Sequence, residues 1–177
     1  MSASKRRYAT ADLVVDALSI ALVLAFTMFV NLRLPFGNGG LIHLGNVPLF
    51  LAAFCFGRRT GALCGGLGMA MFDLISGWVP WSPFTLVICG AMGYVVGLFS
   101  ERSGHRLWGF ALGTVLALVL KILGYYAAEG LLYGNWIAPL ASVPGNLIQV
   151  GAAMAITLPL ALPMRKLMSR ILHSKEV

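Results

Sequence analysis

The stretch LWGFALGTVLALVLKILGYYAAEGLL, residues Leu107–Leu132, decides the solvent in which this chain folds. As a helix rising about 1.5 Å per residue, it is long enough to cross a hydrocarbon core of about 30 Å. It carries only two charged side chains, Lys121 and Glu129. Five further runs share its character: Ala11–Asn31, Ile42–Phe56, Thr60–Trp78, Pro83–Ser100 and Ala138–Met164. Hydrophobic residues make up 59% of the 177 positions, charged residues 11%, and the mean hydropathy is +0.85. A soluble domain carries about 25% charged residues. The expected fold is therefore an all-α membrane protein: a single bundle of six transmembrane helices occupying residues 1–177, with no separate soluble domain. The second run is the shortest, and it follows the Gly/Pro-rich stretch Leu34–Gly40.

The basic residues orient the bundle. Cytoplasmic loops collect Lys and Arg, and eleven of the thirteen here fall on one side of a six-span count. Lys5, Arg6 and Arg7 precede the first run; Arg58 and Arg59 separate the second from the third; Arg102 and Arg106 separate the fourth from the fifth; Arg165, Lys166, Arg170 and Lys175 follow the sixth. Both termini are expected in the cytoplasm. A net charge of +7 requires no nucleic-acid partner, because juxtamembrane cations meet anionic lipid headgroups favourably. The first run starts with Asp12 and Asp16 and closes without a small-residue cleavage site, so it reads as a retained helix rather than a signal peptide. Cys55, Cys64 and Cys89 show no paired metal-ligand spacing, and no metal or cofactor is expected.

Ionisable side chains at membrane depth are costly and usually face a cavity or one another. Counted from its inner end, the fifth span places Lys121 about 21 Å up, with Tyr125 and Glu129 one and two turns beyond on the same face. Asp73 stands about 20 Å up the third span, and Asn146 and Gln149 lie roughly 12–17 Å below the start of the sixth. His43 and Asn46 open the second span and Thr85 the fourth. All these heights fall in the outer half, which predicts a pocket open to the outside with Trp78, Trp81 and Trp136 at its rim.

Each of these residues also has a structural reading. The tryptophans suit an interfacial belt; Lys121 and Glu129 suit a structural ion pair; Asp73 suits a helix end, and His43 an exposed site beside the Gly-rich loop. Asn146 and Gln149 follow Pro144-Gly145, where they suit backbone groups freed by a broken helix. Glycines inside the spans, such as Gly61, Gly65, Gly66 and Gly68, suit close helix packing. Ala17, Ala21 and Ala25 recur every four residues and make a smooth stripe, either for packing within the bundle or for docking a second membrane protein. The chain contains no G-x-x-x-x-G-K-[ST] phosphate loop, no H-E-x-x-H zinc site and no G-x-S-x-G nucleophile context. No catalytic residues are assigned, and the chain is not expected to be an enzyme.

Five strings in order carry a family likeness: Gly39–Asn46 (GGLIHLGN), Phe72–Trp78 (FDLISGW), Ser82–Ile88 (SPFTLVI), Gly124–Glu129 (GYYAAE) and Val143–Gln149 (VPGNLIQ). Over nearly its whole length the chain resembles the substrate-binding S components of energy-coupling factor (ECF) vitamin transporters, on the branch for riboflavin-, pyridoxine- or hydroxymethylpyrimidine-type substrates. The resemblance implies a six-helix bundle that captures a vitamin near the outer surface, under the loop joining the first two spans. It implies partners as well: a membrane T component, met by Ala17 and Ala21 of an A-x-x-x-A pattern, and two cytoplasmic ATPases. The family picture also has the whole S component topple within the membrane to release its cargo. Two positions depart from the family pattern, which usually has Asp at the place of Asn46 and Lys at the place of Cys89.

The expected function is thus the substrate-capture subunit of an ECF-type ABC transporter in the cell membrane. Lys121, Tyr125, Asn146 and Gln149 would hold the ligand, with His43, Asp73, Thr85 and Glu129 contributing. A pyridoxine- or hydroxymethylpyrimidine-like compound fits first and riboflavin next. The alternatives are a stand-alone oligomeric channel or facilitator for a small polar solute, and a structural or assembly subunit whose polar residues only pin helices together.

Overall fold

A computed structural model describes residues 10–33 and 41–173. Lys5, Arg6, Arg7 and Lys175, and the Leu34–Gly40 stretch expected over the pocket, lie outside the described residues. Within them the chain is helical: α1 (Thr10–Phe29), α2 (Asn46–Phe56), α3 (Arg58–Ile75), α4 (Ser82–Arg102), α5 (Leu107–Tyr133) and α6 (Val143–His173). Short 3-10 turns at Val79–Trp81 and Ala138–Ser142 lead into α4 and α6. One departure from an all-helical chain is a small antiparallel hairpin, β1 (Asn31–Arg33) and β2 (Leu41–His43), with Leu32 opposite Ile42. Among the described residues four segments are long and apolar enough to cross a bilayer, namely Thr10–Phe29, Val79–Arg102, Leu107–Tyr133 and Ala138–Ile171. The chain is a multi-pass membrane protein.

The helix bounds follow from local chemistry. The second run was expected from Ile42, but its first residues extend as β2 and the helix begins only at Asn46, after Gly45. Pro48 falls in the first turn of α2, where a missing N–H costs no hydrogen bond. The sixth helix runs unbroken through Pro159 and Pro163 and continues past the expected end at Met164 to His173. Prolines are tolerated in membrane helices because neighbouring groups satisfy the freed carbonyls. Hydroxyls buried in the bundle bond their own helix one turn back: Thr27 to the Val23 carbonyl at 2.7 Å, Ser100 to Val96 at 2.7 Å, Thr114 to Phe110 at 2.9 Å and Thr157 to Ala153 at 2.8 Å. Such back-bonding lets a polar residue sit in an apolar bundle without an unmet donor.

α3 and α4 share the most extensive interface, and glycine makes it possible. A Cβ on Gly61 would stand 2.5 Å from the Gly93 carbonyl oxygen, and one on Gly65 2.5 Å from that of Cys89, so the two backbones touch directly. α1 packs mainly on α3 through Asp16, Ser19, Val23 and Thr27, leaving Ala17 and Ala21 exposed and Ala25 half-buried. The core under α2 includes Leu49, Phe50, Phe54, Met92, Val96 and Phe110.

The turns that carry the basic residues meet at one end of the bundle. Gly57, at φ +94°, links α2 to α3 in a single residue. A carboxylate oxygen of Glu101, at the end of α4, accepts the Arg58 backbone N–H at 2.8 Å, and the other lies 3.6 Å from Arg58 Nε. An acidic group at a helix N-terminus satisfies a free donor and meets the positive end of the helix dipole. At the other end of this single-residue link, the Phe54 carbonyl accepts from His105 Nδ1 at 2.8 Å and Arg165 Nη1 at 3.4 Å. The end of α3 and the start of α4, where Asp73 and Thr85 lie, are at the opposite end.

Candidate functional site

Charged and polar side chains at that opposite end surround one cavity. Among the described residues its lining comes from five of the six helices and from β2: Thr27 of α1, His43 of β2, Met69, Phe72 and Asp73 of α3, Thr85 of α4, Lys121, Tyr125, Glu129 and Tyr133 of α5, and Gly145, Asn146 and Gln149 of α6. Trp78, Trp81 and Ser142 from the short turns complete it. All eight residues expected to hold a ligand line this one cavity. Asn46 and Cys89 are fully buried and are not among its lining residues.

Swept by the centre of a water molecule, the cavity measures about 90 Å³.

Lys121 and Gln149 are each only 2% exposed. The Lys121 ammonium donates to Gln149 Oε1, and Gln149 Nε2 donates to the His43 carbonyl at 3.0 Å. One amide therefore links α5, α6 and the hairpin, and both of its polar atoms are engaged by protein. Lys121 is a donor-only cation with three hydrogens, so it keeps capacity for a guest. It also stands 5.9 Å from the centre of the Tyr125 ring. The structural alternative of a direct Lys121–Glu129 ion pair is not formed: Lys121 pairs with Gln149, and the Ser142 hydroxyl beside Glu129 donates to the Pro139 carbonyl at 2.9 Å.

His43 Nδ1 accepts the Gly45 N–H at 3.2 Å, which leaves Nε2 as the protonated ring nitrogen of the neutral imidazole. Its ring lies 6.4 Å from that of Phe72. On the facing wall, Thr85 Oγ1 and the Tyr125 hydroxyl are 3.1 Å apart, Cys89 Sγ is 3.5 Å from the same hydroxyl, and the Asp73 carboxylate neighbours Thr85. Asp73 is 9% exposed, and its Oδ2 is buried without a partner among the described residues.

Trp78 and Trp81 pack edge to face at 5.3 Å, and Trp81 continues to Tyr133 at 5.9 Å, so aromatic rings border the cavity. Trp136, expected at the rim, is not among the cavity's lining residues. Its ring packs instead on Tyr126 at 6.0 Å, whose hydroxyl donates to the Trp136 carbonyl at 2.9 Å. The sequence reading missed Thr27, Met69, Phe72, Tyr133, Ser142 and Gly145. Only Tyr133, one turn beyond Glu129, continued a pattern already recognised. No group of three or more metal-ligating side chains occurs among the described residues.

The arrangement provides donors (Lys121, His43, Asn146), acceptors (Asp73, Glu129) and aromatic faces around one cavity. It offers binding rather than bond-making chemistry. Residues 7–166 match the family described as the ECF-type riboflavin transporter, S component. The thiamine precursor transporter HmpT of Lactococcus lactis subsp. cremoris (strain MG1363) is 31% identical over 134 residues, covering 76% of this chain and 75% of that protein. An uncharacterized protein of Pyrococcus woesei is 39% identical over 109 residues, 61% of this chain and 71% of that one.

Proposed function

Because the chain belongs to the family of ECF-type riboflavin transporter S components, we propose that it captures a water-soluble vitamin or vitamin precursor from outside the cell for uptake driven by partner subunits. In this reading six helices span the cell membrane, both termini are cytoplasmic, and the cavity opens outward. The basic turns at Arg58–Arg59 and Arg102–Arg106 then lie on the inner face, in line with the enrichment of Lys and Arg in cytoplasmic loops. A T component and two ATPases supply the energy, and the exposed Ala17 and Ala21, with Ala25, form the surface on which the T component docks.

The observation that carries the proposal is the convergence of Lys121, Tyr125, Asn146, Gln149, His43, Asp73, Thr85 and Glu129 on one cavity. In lipid an ionisable group without a task is a pure cost, and here residues far apart in the chain share one space. Lys121, Tyr125 and Asn146 contact the ligand, while Gln149 holds Lys121 in place as well as lining the site. The few polar groups set among aromatic faces suit a planar heterocycle with hydroxyls, a pyridoxine- or hydroxymethylpyrimidine-type compound first and riboflavin next. The relative named as a thiamine precursor transporter supports the same choice, since the pyrimidine half of thiamine is such a ring.

Two assays separate this function from its rivals. Calorimetric titration of the purified chain with B vitamins and their precursors should give one site tighter than micromolar. In liposomes the chain alone should move no ligand, and flux should require the partner ATPases and ATP. Ligand flux through the lone chain would establish the channel reading instead. Loss of folding rather than of ligand in Asn146→Ala would establish the assembly-subunit reading.

A further inference from the structure

On the cavity wall the Thr85 hydroxyl neighbours the Asp73 carboxylate and lies 3.1 Å from the Tyr125 hydroxyl, which is itself 3.5 Å from the Cys89 thiol. No donor reaches Asp73 Oδ2, which is buried without a partner among the described residues, while Asp73 lines the cavity. A buried carboxylate oxygen is costly to leave without a donor. The protein supplies none to Oδ2, whereas across the site it supplies Lys121 with an acceptor in Gln149.

We propose that Asp73 selects the ligand's chemistry by pairing Oδ2 with an exocyclic amino group on a nitrogen heterocycle, so that this carrier takes amino-substituted rings and rejects their oxo counterparts. The inference rests on the vitamin-precursor reading above and narrows it. An amino group conjugated to an electron-poor ring donates two hydrogens and accepts almost nothing, so it meets a carboxylate without lone-pair repulsion. A ring carbonyl at the same place turns two lone pairs toward Oδ2. The ring nitrogen next to an amino carbon, once protonated, adds a second parallel donor, giving the two-point pairing that carboxylates favour. Lys121, which can only donate, takes an acceptor elsewhere on the same ring or its hydroxymethyl arm. The guest therefore needs a donor edge and an acceptor edge, a requirement an amino-pyrimidine alcohol satisfies.

The test is a pair of probes differing at one group, 4-amino-5-hydroxymethyl-2-methylpyrimidine and its 4-hydroxy (oxo) analogue, titrated into the purified full chain in lipid nanodiscs. The amino compound should bind wild type about ten- to a hundredfold more tightly, the difference expected for one charge-assisted hydrogen bond. Asp73→Asn, whose amide can donate, should reverse the order in favour of the oxo compound; a merely structural role for Asp73 would weaken both probes alike. Asp73→Ala, which removes the acceptor altogether, should abolish the amino preference and serves as the variant to read if Asp73→Asn does not fold. Equal binding of the two probes by wild type, or an amino preference that survives Asp73→Asn or Asp73→Ala, would overturn the inference while leaving vitamin capture standing. No binding of either probe or of any vitamin in a broad panel would remove the parent reading itself.

Discussion

Gly65→Ala couples the packing of α3 on α4 to the cavity, and its cost can be worked out. The added Cβ would lie 2.5 Å from the Cys89 carbonyl oxygen and 2.7 Å from Leu49 Cδ1, where ordinary contact begins at 3.4 Å. The deficit on the backbone side is about 0.9 Å, and it cannot be relieved by turning a side chain, so α4 must move as a body. Overpacking of this kind costs about 1–3 kcal/mol. At about 2–4 °C per kcal/mol for a chain of this size, the melting temperature should fall by about 2–12 °C. The same displacement acts on Thr85 and Cys89, which α4 carries. Moving the 3.1 Å Thr85–Tyr125 bond by that amount takes it past the roughly 3.5 Å at which hydrogen bonds fail, so ligand affinity should drop about tenfold. Gly90→Ala is the control: its Cβ would lie 3.5 Å from the Ala62 carbonyl oxygen and 3.7 Å from Gly66 Cα, which is ordinary contact. Thermal unfolding and calorimetric titration of the two variants side by side decide the matter. Equal melting temperatures and equal affinities would refute the argument.

Three further outcomes are expected. Arg58→Ala should change stability by less than about 1 kcal/mol because its ion pair is exposed, whereas Glu101→Ala should cost about 0.5–2 kcal/mol by leaving the first N–H of α3 without an acceptor; chemical denaturation of both variants measures the difference. Burial, outweighing the bond to the Phe54 carbonyl, lowers the pKa of His105 in the turn after α4. The unfolded chain therefore takes up that proton first, and stability falls as pH drops through about 6.5. His105→Asn, which tolerates the φ of 59° at this position, should flatten that slope in melting curves recorded against pH. Ala21→Phe should abolish copurification with the T component and ATPases while leaving vitamin affinity within about twofold, because Ala21 is exposed on the α1 face away from Thr27 and the cavity.

Charge in an apolar run is the most legible signal in this sequence. Lys121, Asp73 and Glu129 stood out because lipid makes each expensive, and the four-residue spacing of Lys121, Tyr125 and Glu129 placed them on one face before any coordinates. Residue types with ordinary alternatives were silent. Thr27 reads like any helix hydroxyl bonding its own carbonyl one turn back, and Met69 and Phe72 read like core residues. Partnerships were less legible than positions. That Gln149 bridges Lys121 and the His43 carbonyl depends on how α5, α6 and the hairpin approach one another, which no periodicity in a single segment records. The hairpin itself was hidden because three residues are too few to show an alternating pattern. α6 outran its expected end because the apolar run marks only where the chain leaves the bilayer, and the helix continues beyond it through the basic stretch Arg165–His173.

The central claim is that residues from distant segments enclose a small heterocyclic guest. Its most direct test is mass spectrometry of the small molecules released when the chain, purified from cells grown in rich medium, is denatured, with folded Lys121→Met prepared in parallel. The account predicts a nitrogen heterocycle in near one-to-one amount from wild type, absent from Lys121→Met. Release of no such compound from wild type, together with no binding when vitamins and their precursors are added back, would contradict it.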